Sequence, residues 1–162
     1  MRYLANVLPL LVFATTVDAQ TQGFVSAGRM WVGDDPTGVA VSAGAQRIGR
    51  YGLSGGADAV VNFGRTTFRP GFPKGEPYRQ YLVSGLVGAH ARRAQGWAPF
   101  VNGGMSLVTD PDCCGPVFGW NVGGGTNYWL SDGLGIRGDV RLVLPFAGEG
   151  RLTMWGIGIA FR

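Results

Sequence analysis

Charge is scarce in this sequence: only 15% of its 162 residues are Asp, Glu, Lys or Arg, against about 25% in soluble domains. Lysine is almost missing, with Lys74 the single one beside 13 Arg, for a net charge of +4. A nucleic-acid-binding face needs Lys and Arg gathered in a stripe. Here the dense basic spots are Arg47/Arg50 and Arg92/Arg93, both in expected turns, so no nucleic-acid partner is expected. Histidine occurs once, as His90, and cysteine twice, as the adjacent pair Cys113 and Cys114. Metal sites draw on several His, Cys or carboxylates at defined spacing, so neither a metal nor another cofactor is expected. No run of 18 apolar residues exists, which excludes a transmembrane helix.

The first residues read as a secretory leader. Arg2 supplies a positive start, Leu4 to Thr16 is mostly apolar, and Val17-Asp18-Ala19 satisfies the small-residue cleavage rule. Residues 1–19 are therefore expected to be a signal peptide and residues 20–162 one mature domain. In a secreted chain disulfides are permitted. Adjacent cysteines, however, can bridge to each other only in a strained ring. Cys113 and Cys114 are thus expected to be a loop feature, either free thiols or an intermolecular bridge.

Glycine is abundant, 29 residues, and each glycine costs a helix about 1 kcal/mol relative to Ala. Helices are disfavoured, and the pattern agrees. Eight segments of roughly ten residues are separated by turn residues: Gly23–Val32, Gly38–Gln46, Tyr51–Gly64, Tyr78–Ala89, Trp97–Val108, Val117–Leu130, Leu134–Leu144 and Arg151–Phe161. Several alternate with the strand period of two. Trp155, Ile157, Ile159 and Phe161 share one face against Gly156, Gly158 and Ala160. Ile136, Val140, Leu142 and Leu144 oppose Arg137, Asp139 and Arg141. Phe118, Trp120, Val122 and Tyr128 oppose Asn121, Gly123, Gly125 and Asn127.

The second face decides between two kinds of barrel. A soluble barrel needs a charged exterior. Gly, Ala, Ser and Asn make a poor water-facing surface but a reasonable narrow interior. The fold expected is all-β: an eight-stranded antiparallel up-and-down transmembrane barrel. Ten residues at about 3.3 Å each, tilted about 40°, rise about 25 Å, the height of the apolar band in such barrels. With the chain starting in the periplasm, Arg65–Pro77 and Asp110–Pro116 become outward loops, and Arg47–Arg50, Arg92–Gly96 and Ser131–Gly133 become inward turns. Phe24, Trp97, Tyr128 and Phe161 would form an inner aromatic girdle, and Phe63, Tyr81, Phe118 and Trp120 an outer one.

Three stretches carry a family resemblance: Trp97 to Gly104, Phe118 to Gly125 and Leu134 to Arg141. Together they resemble the second half of small outer-membrane β-barrel domains similar to the transmembrane domain of outer-membrane protein A. The likeness spans roughly Gln22 to Arg162. It implies a place in the bacterial outer membrane, contact with its lipid and lipopolysaccharide, and a monomeric state. It also implies help from periplasmic chaperones and the barrel-insertion machinery during biogenesis. The family ends in an aromatic residue, whereas here Phe161 is penultimate and Arg162 follows.

Arg29, Asp58, Arg137, Asp139 and Arg141 are expected to point into the lumen and form a structural plug of salt bridges, with a weakly anion-preferring pore as the alternative. Buried charges must be paired or hydrated, and eight strands enclose an interior just filled by side chains. Residues 133–138 match a dinucleotide-binding glycine pattern. That pattern needs a helix after it, and Asp139 to Leu144 alternates like a strand. Some barrels of this resemblance act on lipid A through a His–Ser pair. Here Ser84 lies six residues from His90 along one strand, too far for contact. No catalytic residue is expected. The function expected is a non-enzymatic outer-membrane barrel, a structural element or surface-binding scaffold with little or no open pore. A lipid A-modifying enzyme and a soluble secreted barrel for a small apolar ligand are the alternatives.

Overall fold

A computed structural model describes residues 19–33, 35–65, 77–91, 95–110, 114–146 and 150–162. The expected signal peptide up to residue 18, the loop 66–76, Arg92, Arg93 and Cys113 lie outside the described residues. The strands are β1 (Gln20–Val32), β2 (Asp35–Ile48), β3 (Leu53–Arg65), β4 (Pro77–His90), β5 (Gly96–Asp110), β6 (Cys114–Trp129), β7 (Leu134–Pro145) and β8 (Leu152–Phe161). Each pairs antiparallel with the next. β1 closes on β8, running from Gly23 opposite Phe161 to Val32 opposite Leu152. Closure leaves no strand edge with unpaired backbone groups, the condition for β-structure in hydrocarbon.

Turn residues misplaced some strand ends. β2 begins at Asp35 rather than Gly38, and β6 at Cys114 rather than Val117, so the polar residues read as loop continue the ladder. The prolines there fall at irregularities. Trp31 pairs with Pro36 just past a register shift after Met30, and Thr37 Oγ1 donates to the Met30 carbonyl at 3.0 Å. A second shift between Val108 and Asp110 leaves Pro116, which has no N–H to donate, outside the ladder. The boundary of the first inward turn also moves: Arg47 belongs to β2, and residues 49–52 turn the chain. Gly52 has φ +83°, and a Cβ on it would lie 2.3 Å from the His90 carbonyl oxygen. Only glycine fits there.

The core is the lumen, in three levels. At the loop-bearing end Met30, Val60, Leu82, Val108, Val143, Leu152 and Met154 form an apolar cluster with Ala40. At the opposite end Phe24, Ala98, Trp129 and Ala160 form another. Between them lies a polar layer that includes Ser26, Asp58, Ser84, Asn102, Ser106, Asn121 and Arg141, all buried.

Candidate functional site

The polar layer is built on strands from opposite sides of the barrel. Asp58 projects inward from the middle of β3 and Arg141 from β7. Arg141 Nη1 donates to Asp58 Oδ1 at 2.9 Å, and Nη2 donates to Oδ2. This two-pronged geometry is the strong form of the arginine–carboxylate pair. Arg141 Nη1 also lies 3.4 Å from Ser84 Oγ on β4. Ser84 bonds Ser106 Oγ on β5 at 2.8 Å, and Asn121 Nδ2 on β6 donates to that same Ser106 oxygen at 2.8 Å. One connected network thus joins five strands across the lumen.

Arg137 lies two inward positions from Arg141 along β7, nearer the end that carries the chain termini, with 0% of its surface exposed. Its Nε donates to Asp139 Oδ1 at 3.0 Å. Its guanidinium carbon sits 4.0 Å from the Phe24 ring centre and 4.1 Å from that of Phe100. The two rings clamp the cation, and both Nη atoms lack a hydrogen-bond partner. The negative ring faces replace part of what water would supply. His90 stacks on Phe100 in turn, with centroids 5.1 Å apart. Space for the clamp comes from β2. A Cβ on Gly44 would lie 2.6 Å from Phe24 Cζ, 2.5 Å from Asp58 Cβ and 2.8 Å from a backbone carbonyl oxygen. Gly44→Val is therefore expected to cost about 1–3 kcal/mol of barrel stability by overpacking. Urea unfolding followed on unboiled gels measures it, and an unchanged midpoint would show that the clamp can move aside.

Four of the five expected lumen charges thus meet as two pairs, Asp58 with Arg141 and Arg137 with Asp139. Arg29 does not join them. Its side chain is exposed, on the outside of β1 between Val39 and Trp155. Phe24 is corrected in the opposite direction: it is buried in the lumen rather than part of the inner girdle. Both errors have one cause. In β1 each face mixes polar and apolar residues, so the alternation gives no phase. The phase comes from the neighbours: Phe24 sits where Gly44 leaves a hole, and Arg29 is in register with outward-facing Val39. The clamp itself, an arginine between two phenylalanines from distant strands, leaves no trace in local spacing.

The remaining chemical candidates do not assemble. Ser84 is held by Ser106 and Arg141, while His90 lies against Phe100. Residues 133–138 run from a turn into β7, with no helix to hold a phosphate. Among the described residues no group of three or more His, Cys, Asp or Glu could hold a metal ion. Cys113 lies outside the described residues, and Cys114 is the first residue of β6.

The outer wall is the reverse of a soluble surface. Val41, Val83, Val101, Val122, Val140 and Ile157 are exposed around the waist of the barrel. Towards the loop-bearing end Phe63, Tyr81, Phe118 and Trp120 are exposed, and towards the other end Trp97, Tyr128 and Phe161. Trp97 meets Tyr128 edge to face, with centroids 5.1 Å apart. An apolar waist between two aromatic belts is the exterior of a transmembrane barrel.

Such a wall around a closed eight-stranded sheet defines a small membrane β-barrel. Solved structures bear out that class. Neisserial surface protein A superposes with a TM-score of 0.64 at 12% identity, over 88% of this chain and 97% of that one. The N-terminal β-barrel domain of Pseudomonas aeruginosa OprF gives 0.60 at 13% identity, over 89% and 98%. Ail, the attachment invasion locus protein of Yersinia pestis, gives 0.52 at 9% identity, over 88% and 96%. These neighbours are eight-stranded outer-membrane barrels, and this chain has their fold. No family model matches the sequence, and no curated protein matches it.

Proposed function

We propose that the protein is a non-enzymatic barrel of the bacterial outer membrane, a structural element or a scaffold presenting its outward loops, with a lumen closed to ion flow. The observation that carries this reading is the combination of an apolar wall on every side with a lumen bolted across its middle by Asp58 and Arg141. Likeness to barrels of that membrane supports the location. In this reading the leader at residues 1–19 directs export and is cleaved. Periplasmic chaperones and the barrel-insertion machinery deliver the chain, and lipid and lipopolysaccharide surround it as a monomer. Surface binding has a precedent in Ail, which has been crystallised in complex with the heparin analogue sucrose octasulfate.

Fractionation of cells expressing the full chain tests the location. The protein is expected in the outer-membrane fraction, and its gel mobility is expected to change on boiling. A cleaved, soluble product without that shift would overturn the reading. In planar bilayers the folded protein is expected to give no stable stepwise conductance, because eight strands leave no free channel. Reproducible anion-selective steps would replace the closed barrel with the pore reading.

A further inference from the structure

We infer that Arg29 and Arg79 bind phosphate groups of anionic membrane lipid at the loop-bearing end of the wall. The inference rests on the membrane reading above. Arg29 is exposed on the outer surface of β1, three residues before the strand ends at Val32. Its neighbours in the sheet are Val39 and Trp155. Arg79 is exposed on β4, the third residue of that strand, opposite Phe63. Neither forms an ion pair among the described residues.

Among the described side chains no carboxylate is placed to serve them. Asp58 and Asp110 are buried in the lumen, Asp139 is paired there with Arg137, and Asp132 belongs to a turn at the opposite end. An arginine on a lipid-facing wall carries a desolvation cost that falls towards the interface. Three residues of tilted strand rise roughly 8 Å, a distance an extended arginine covers by running its aliphatic stem along apolar surface. Its guanidinium then sits at headgroup level, where the anions offered are lipid phosphates. The planar fork takes two phosphate oxygens at once, which a lysine cannot do. This chain has 13 Arg and one Lys, and the basic residues described at this end, Arg29, Arg65, Arg79 and Arg151, are all Arg.

Native mass spectrometry of the folded full chain with equimolar phosphatidylglycerol and phosphatidylcholine tests the proposal. The wild type is expected to retain phosphatidylglycerol preferentially. Arg29→Ala and Arg79→Ala are each expected to reduce that preference about fivefold, and the double variant is expected to abolish it. Arg29→Lys and Arg79→Lys should keep part of it. Alanine on a lipid-facing wall does not threaten folding, and retained heat-modifiability confirms this in each variant. Equal retention of both lipids by the wild type, or variants that keep the full preference, would overturn the inference. So would loss of the preference to millimolar inorganic phosphate, which would assign the sites to free anions. A protein that fails to insert at all would refute the membrane reading instead.

Discussion

Asp58→Ala is expected to destabilise the folded barrel by about 3–5 kcal/mol, the cost of leaving a buried partner charge uncompensated. Arg141 would remain in the middle of the lumen with only Ser84, at 3.4 Å, as a described partner. Water drawn into the gap would reduce the loss but not remove it. The informative comparison is the double variant Asp58→Ala/Arg141→Met, which removes both charges and refills the space. It should recover much of the stability, because an apolar replacement of a buried ion pair is often neutral. Equilibrium unfolding in urea, read as the heat-modifiable band on unboiled gels, gives the four corners of the cycle. A loss below about 1 kcal/mol in the single variant, with no coupling in the cycle, would show that the bridge does not hold the lumen together.

Ile157→Arg separates a membrane barrel from a soluble one. Ile157 is 60% exposed on the outside of β8, midway along the strand, between Ala27 and Gly138. In water a charge at such a position would change stability by no more than about 0.5 kcal/mol. In a bilayer, arginine at the midplane costs about 2–4 kcal/mol and near the interface about 0–1. Thr153, four residues nearer the loop-bearing end on the same outward face, is the control: Thr153→Arg should be nearly silent. Insertion yield and unfolding midpoint in lipid vesicles should therefore fall for Ile157→Arg and not for Thr153→Arg. Equal, small effects at both positions would mean that water, not lipid, meets this wall.

The Asp58–Arg141 pair is beyond the reach of periodicity, whereas the outward face that carries Ile157 was legible in it. The last strand shows why. Trp155, Ile157, Ile159 and Phe161 alternate with Gly156, Gly158 and Ala160, so its apolar face was evident, and the structure exposes all four large residues. β6 and β7 behave in the same way. Strand ends were harder, because barrel strands run past the apolar band into polar surroundings. Asp35, Pro77 and Cys114 there resemble turn residues but carry strand backbone.

By itself the sequence determined the class of fold. Scarce charge, abundant glycine, eight alternating segments and a second face of small residues leave a closed barrel with its apolar side outward as the consistent solution, since patterning acts over nearest neighbours along the chain. Tertiary structure alone decided the interior. Asp58 and Arg141 are 83 residues apart, and their meeting depends on strand register and on closure of β8 against β1. The arginine clamp needs Phe24 from β1, Phe100 from β5 and the hole left by Gly44, three positions with no local relation. The phase of β1, and with it the outward placement of Arg29, was likewise set by the register of its two neighbours. A residue's own strand fixes only that successive side chains alternate, while the packed neighbours fix which of the two faces is inside.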